Sequence, residues 1–184
     1  MLSEEHRKIL LATARDSIRH GLEHDAPLSV DVRKVPRELR EERATFVTLE
    51  IGGDLRGCIG TLEAEQALIA NVAHNAFQAA FRDPRFPPLK SREFERLDIH
   101  ISVLSPPEPM AFRSEEDFMR QLRPGVDGIV LGDGWRRGTF LPAVWEDLPE
   151  KSDFVRHLKM KAGLPPDYWS KTIKAFRYTA EYFP

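Results

Sequence analysis

Between Ala44 and Thr61 the chain writes a β-hairpin. From Ala44 to Ile51, Val47, Leu49 and Ile51 alternate with Phe46, Thr48 and Glu50, the period of two that puts successive side chains on opposite faces of a strand. Gly52-Gly53-Asp54 supplies the turn, and Leu55 to Thr61 returns as the partner strand. The returning strand reads Leu55-Arg56-Gly57-Cys58-Ile59-Gly60, so the only cysteine of 184 residues stands between two glycines, with an arginine two places before it. Glycines this close together mark backbone that turns tightly or is closely approached by another group. Such a stretch serves a ligand site or a plain structural corner.

A two-stranded hairpin is marginal in water by itself, so other segments must cover it. Ser3 is placed to cap an amphipathic helix with Glu4 and Glu5 in its first turn and Leu10, Ala14, Ile18 and Leu22 on one stripe, ending at about Leu22. Residues 23–43, with Pro27 and Pro36, read as a long connection. Glu65 to Arg82 is helical in pattern, and the small residues Ala76, Ala79 and Ala80 beside Phe77 and Phe81 would let that helix approach a sheet closely. Asp83-Pro84-Arg85-Phe86-Pro87-Pro88-Leu89 ends it, because proline disfavours the helical conformation in the residue before it; the segment is expected to run extended. Leu97 to Leu104 alternates as a central, half-covered strand.

In the second half, Ser114 and Asp117 are spaced to cap a short helix, Glu115 to Leu122. Residues 126–131 and 138–141 flank Gly132-Asp133-Gly134-Trp135-Arg136-Arg137 as a second hairpin. Ser152 is read as the cap of a helix ending at Gly163, and Ile173 to Phe183 as one closing strand with Phe176, Tyr178, Ala180 and Tyr182 aligned. Hairpin strands mixed with separate helices predict an α+β fold rather than a regular βαβ array.

Charge removes some functions. With 27 basic and 29 acidic residues the net charge is -2, so no global field draws in nucleic acid or an acidic membrane, and the basic neighbours of Trp135, Trp145 and Trp169 make nucleic-acid binding a minor option only. A single cysteine excludes an internal disulfide and a four-cysteine metal centre. The charged start, Met1 to Arg7, lacks a signal peptide's apolar core, and no apolar run approaches the roughly 18 residues that span a bilayer. The expected location is the cytoplasm.

The cysteine stretch, then Ala79-Ala80-Phe81-Arg82-Asp83-Pro84-Arg85-Phe86-Pro87-Pro88-Leu89, then Ile101 to Pro107, Gly125-Val126-Asp127-Gly128-Ile129, Thr139-Phe140-Leu141-Pro142 and Lys161-Ala162-Gly163-Leu164-Pro165-Pro166 together resemble the AMMECR-one-like domain, called AmmeMemoRadiSam system protein A in bacteria. The resemblance runs nearly end to end. It implies a single domain over 1–184 made of two subdomains, with a central, mostly antiparallel sheet flanked by helices and a second, small subdomain. It also implies association with a Memo-like protein and a radical S-adenosylmethionine protein. It supplies no reaction, because none is established for the family.

The residues themselves suggest a pocket for an unknown small-molecule ligand. An unperturbed thiol with pKa ~8.5 is mostly neutral at physiological pH, so a reactive Cys58 needs help. Arg56 shares its strand face in a regular strand, and the amides of Gly57 and Gly60 could cradle an anion. A nucleophile also needs a base, for which His74 on the following helix is preferred over His100. Arg82, Asp83 and Arg85, on the proline-rich bend, could bind an anionic ligand or form an ion-pair network that fixes the loop. The opposing reading packs Cys58 as a small hydrophobe, pairs Arg56 with a carboxylate such as Asp83, and makes the chain a non-catalytic adaptor. His20, His24 and Asp25 lack further ligands at metal-site spacing, so no metal and no cofactor are expected.

Overall fold

The hairpin forms one side of a four-stranded sheet. Its strands are β1 (Thr45–Ile51) and β2 (Asp54–Gly60), and β1 pairs antiparallel with β3 (Asp98–Leu104), giving the order β2-β1-β3-β8 with β8 at Ala180–Phe183. The register runs Leu49 opposite Gly57 and then Glu50 opposite Leu55, which leaves Arg56 as the extra residue of a β-bulge. The structure, a computed structural model, describes residues 1–184 and divides into two units, Met1–Leu104 with Glu181–Pro184, and Ser105–Ala180.

In the first unit, helices α1 (Glu4–His24) and α2 (Leu68–Phe81) cover one face of the sheet, and Val47, Leu49, Ile99 and Ile101 from the strands join Leu10, Ile18, Val72 and Phe77 in its core. Ser3 caps α1 by accepting the His6 N–H, and the helix runs two residues past Leu22 to a left-handed C-cap at Asp25. A buried polar knot ties α2 to β1: the Thr45 hydroxyl donates to Asn71 Oδ1 at 2.6 Å, and Asn75 Nδ2 donates to the Thr45 carbonyl at 3.0 Å. The 23–43 connection contains two 3-10 turns, Val32–Lys34 and Arg37–Arg40, and lays Leu39 into the core.

The second unit has its own sheet, ordered β4-β7-β5-β6, from β4 (Glu108–Pro109), β5 (Gly128–Asp133), β6 (Arg136–Phe140) and β7 (Lys174–Tyr178). Helices α4 (Glu115–Gln121), α5 (Val144–Asp147) and α6 (Lys151–Lys161) pack its core residues Phe118, Trp145, Phe154 and Leu158 against Ile129 and Leu131. Trp145 stacks on Phe154 with ring centroids 3.7 Å apart and donates its indole N–H to the Asp127 carbonyl at 2.8 Å, so its polar edge is satisfied while its body is buried.

The α+β class holds, and three local expectations change. The closing strand is two strands in two different sheets, β7 and β8, separated at Thr179. There the Thr179 N–H leaves the ladder to bond Ser105 Oγ at 2.9 Å. The 83–89 segment is not extended throughout: Phe86 N–H closes on the Asp83 carbonyl at 3.2 Å, and a short helix α3 (Ser91–Phe94) follows. Ser152 lies inside α6, whose N-cap position is Glu150.

Candidate functional site

The site is built around the backbone of Cys58. Its N–H donates to Asp83 Oδ2 at 2.9 Å, and its carbonyl accepts from Arg85 Nη2 at 3.1 Å. Asp83 and Arg85 are themselves locked, because the Arg85 Nε and Nη2 grasp the two carboxylate oxygens at 3.0 and 2.7 Å and the Arg85 amide adds a third bond at 3.0 Å. The Asp83 carboxylate is 1% exposed. The Arg85 guanidinium, with the amides of Cys58 and Arg85, holds its carboxyl well below the usual carboxylate range against the opposing effect of burial. Arg85 is held up in turn, chiefly by its bonds to Asp83 and to a lesser degree by attraction to the Cys58 sulfur.

Arg56, displaced by the bulge, does not serve the thiol. Its Nε donates to Glu93 Oε1 at 2.8 Å, and its Nη2 to the Pro87 carbonyl at 2.9 Å. The expected partner Asp83 is taken by Arg85, and Glu93 is taken by Arg56. That pairing holds the Glu93 carboxyl below its ordinary value. The Phe86 ring packs within 6 Å of both guanidinium carbons, at 5.8 Å from Arg56 and 5.6 Å from Arg85. The Arg56 Nη1 is buried without a hydrogen-bond partner.

The glycines answer to packing. A Cβ on Gly57 would stand 2.1 Å from the Ala79 carbonyl oxygen at the end of α2, so only glycine lets the helix lie against the strand there. A Cβ on Gly60 would meet the Phe46 ring at 2.2 Å and the Thr45 carbonyl at 2.5 Å.

Alternation then fixes the sulfur's place. Gly57 faces α2, so Cys58 faces away from it, on the side of the sheet that α1 and α2 leave uncovered. The cysteine is half-buried, and its Sγ accepts a hydrogen bond from the Thr48 hydroxyl at 3.3 Å. Thr48 pairs in register with Cys58 on one side and with His100 on the other, which sets Cys58, Thr48 and His100 in one row across three strands.

His74, the preferred base, is on α2 and therefore across the sheet from the sulfur; its ring contacts Gln78 at 3.4 Å. This corrects its assignment to Cys58. His100 shares the face of Cys58 but stands two strands away, about 10 Å at ordinary strand spacing, which is beyond hydrogen-bond reach. It accepts or donates at 2.6 Å with the Tyr182 hydroxyl through Nδ1 and sets Nε2 3.4 Å from Glu50. Arg82 turns away from the bend to pair with the carboxylate of Asp25, the C-cap residue of α1, at 2.8 Å. The rings of His20 and His24 lie 4.4 Å apart, and no three His, Cys, Asp or Glu side chains converge as a metal cage. Thr48, Glu93 and Tyr182 carried no signal in the sequence beyond strand alternation and helix capping.

A protein-family model described as AMMECR1 matches residues 11–183. A protein of Methanothermobacter thermautotrophicus is 39% identical over 184 residues, covering 99% of this chain and 95% of the relative. One from Methanocaldococcus jannaschii is 35% identical, covering 100% of this chain and 92% of its own length. Among solved structures, an uncharacterised protein from Pyrococcus horikoshii superposes with a TM-score of 0.87 at 32% identity, over 98% of this chain and 92% of that one. No helix here is long and apolar enough to cross a membrane.

Proposed function

The chain belongs to the AMMECR1 family, and from that premise we propose that it is a cytoplasmic component of an AmmeMemoRadiSam system, with a ligand-binding pocket or a cysteine-dependent step centred on Cys58. The observation that carries this reading is a division of labour within one residue. Both polar groups of the Cys58 backbone are clamped, by Asp83 and Arg85, while the half-buried residue's sulfur has a single donor, Thr48. A corner needs only the backbone half of that arrangement. The Thr48 hydroxyl aimed at the sulfur and the Arg85 guanidinium held at the same residue's carbonyl are more than a packing corner requires.

No histidine reaches the sulfur, so the chemistry proposed is that of a cysteine side chain that recognises a ligand, and not of a cysteine–histidine pair.

The second reading is an adaptor that docks the Memo-like and radical S-adenosylmethionine proteins. It draws on a specific observation: Arg56, Gly57 and Gly60 each have a complete structural role, in the Glu93 pair, under Ala79 and beside Phe46. Co-expression with the two partners separates the readings. On the first, Cys58→Ala retains any complex and abolishes the pathway's product. On the second, complex and product both survive the substitution.

A further inference from the structure

We infer that the second unit carries a separate site for a small organic anion with a planar ring, the chemistry of a nucleotide, in a cavity between β7 and the chain around Phe112. The cavity has a volume of about 680 Å³, within the range of small-molecule sites. Its wall contains Arg113, Lys171 and Lys174 and not one carboxylate, in a chain whose net charge is -2. The side-chain nitrogens of these three residues make no ion pair or hydrogen bond.

Three nearby carboxylates bond other partners rather than these cations. Glu115 pairs with the buried Lys159, and Asp117 accepts from the Arg113 amide and from Arg120. Asp133 accepts from the hydroxyls of Tyr168 and Ser170, both at 2.7 Å. The charged side chains of the lining itself are all cations, and concave low-dielectric walls concentrate their field.

The same wall supplies the ring contacts. Trp169 is held by Phe112 and Phe118, at centroid distances of 5.6 and 5.8 Å, and sits over the Lys159 ammonium at 5.9 Å. A half-buried indole fixed on its inner side is a preformed stacking surface, with little entropy left to lose on binding. Lys174 and Phe176 also line an adjoining cavity of about 350 Å³, where Arg136 adds a further cation. A ring on Trp169 with phosphate oxygens toward Lys171 and Lys174 uses both halves of this wall.

Calorimetric titration of the full chain with AMP, adenosine, ribose 5-phosphate and single-stranded decathymidine tests the site. The expected result is saturable AMP binding, with adenosine and ribose 5-phosphate each weaker by about tenfold or more because each lacks one half of the chemistry. Lys171→Gln and Lys174→Gln, both at exposed positions, each weaken AMP about tenfold, while Lys34→Gln in the first unit leaves it unchanged. Decathymidine binding that is tighter than AMP and lost in the same two variants assigns the chemistry to a nucleic-acid strand instead of a free nucleotide. The inference is overturned if neither AMP nor decathymidine saturates at millimolar concentration, if ribose 5-phosphate binds as well as AMP, or if Lys34→Gln weakens binding as much as the cavity variants.

Discussion

The Asp83 carboxylate and the Cys58 amide, 25 residues apart, are joined at 2.9 Å, and that bond couples the proline-rich bend to the cysteine strand. Its consequence is a pH dependence of stability. Asp83 has a lowered pKa in the folded chain, so its contribution is complete above the ordinary carboxylate pKa of about 4. It is lost progressively as pH falls below that value toward the folded pKa, because the unfolded chain then binds the extra proton. Asp83→Asn is expected to cost about 1–3 kcal/mol at pH 7 and to flatten the acid limb of a stability-against-pH curve measured by urea unfolding. An unchanged acid limb would show that the Asp83 carboxylate does not stabilise the bend.

Gly57→Ala and Gly53→Ala separate close approach from backbone conformation. At Gly57 the new methyl group meets the Ala79 carbonyl, which cannot move without shifting α2, and a loss of about 3 kcal/mol is expected. At Gly53, in open space with φ +86°, only the left-handed backbone is penalised, and about 1 kcal/mol is expected. Thermal melting of the two variants should rank them in that order.

Arg56→Ala should destabilise the protein without silencing the thiol. The side chain is 11% exposed, and its removal leaves the Glu93 carboxylate and the Pro87 carbonyl without their donor, a loss of about 2–3 kcal/mol. Because its guanidinium is committed to those groups, the rate of Cys58 alkylation in the folded protein should match that of the unaltered chain. A slower rate in folded Arg56→Ala would restore the arginine to the thiol.

Lys159 offers a comparison within the second unit. It is 2% exposed and relies on Glu115 for its charge partner, so Glu115→Ala strands a buried ammonium whereas Lys159→Met replaces it with an apolar chain of similar length. Chemical denaturation should find Glu115→Ala the more damaging of the two, by about 1 kcal/mol or more.

Local patterning made much of this fold legible. The Val47-Leu49-Ile51 alternation, the Gly52-Gly53 turn and the Ser3 and Ser114 caps act through neighbours a few residues away, and each produced the element it indicates. The division of the last strand was not legible, because Phe176 to Tyr182 keeps its period of two across Thr179 and the interruption comes from Ser105, 74 residues away. The partners of Arg56 and Asp83 were hidden for the same reason. Composition supplies several acids and arginines, and only the bulge at Arg56 and the turn at Asp83 decide which of them meet. His74 was misleading as a base because spacing along the chain does not say on which side of a sheet a helix will lie, and His100 because it does not say that β1 will stand between its strand and that of Cys58.

The most direct measurement is the rate of Cys58 alkylation at neutral pH in the folded protein and in the urea-unfolded chain, with Thr48→Val and Arg85→Gln beside it. A cysteine that is half-buried, hydrogen-bonded through its sulfur by Thr48 and clamped at its carbonyl by Arg85 should react in the native state, and both substitutions should change that rate. Modification that waits for unfolding, or a native-state rate that neither substitution moves, would reduce Cys58 to a packing residue and leave the adaptor reading.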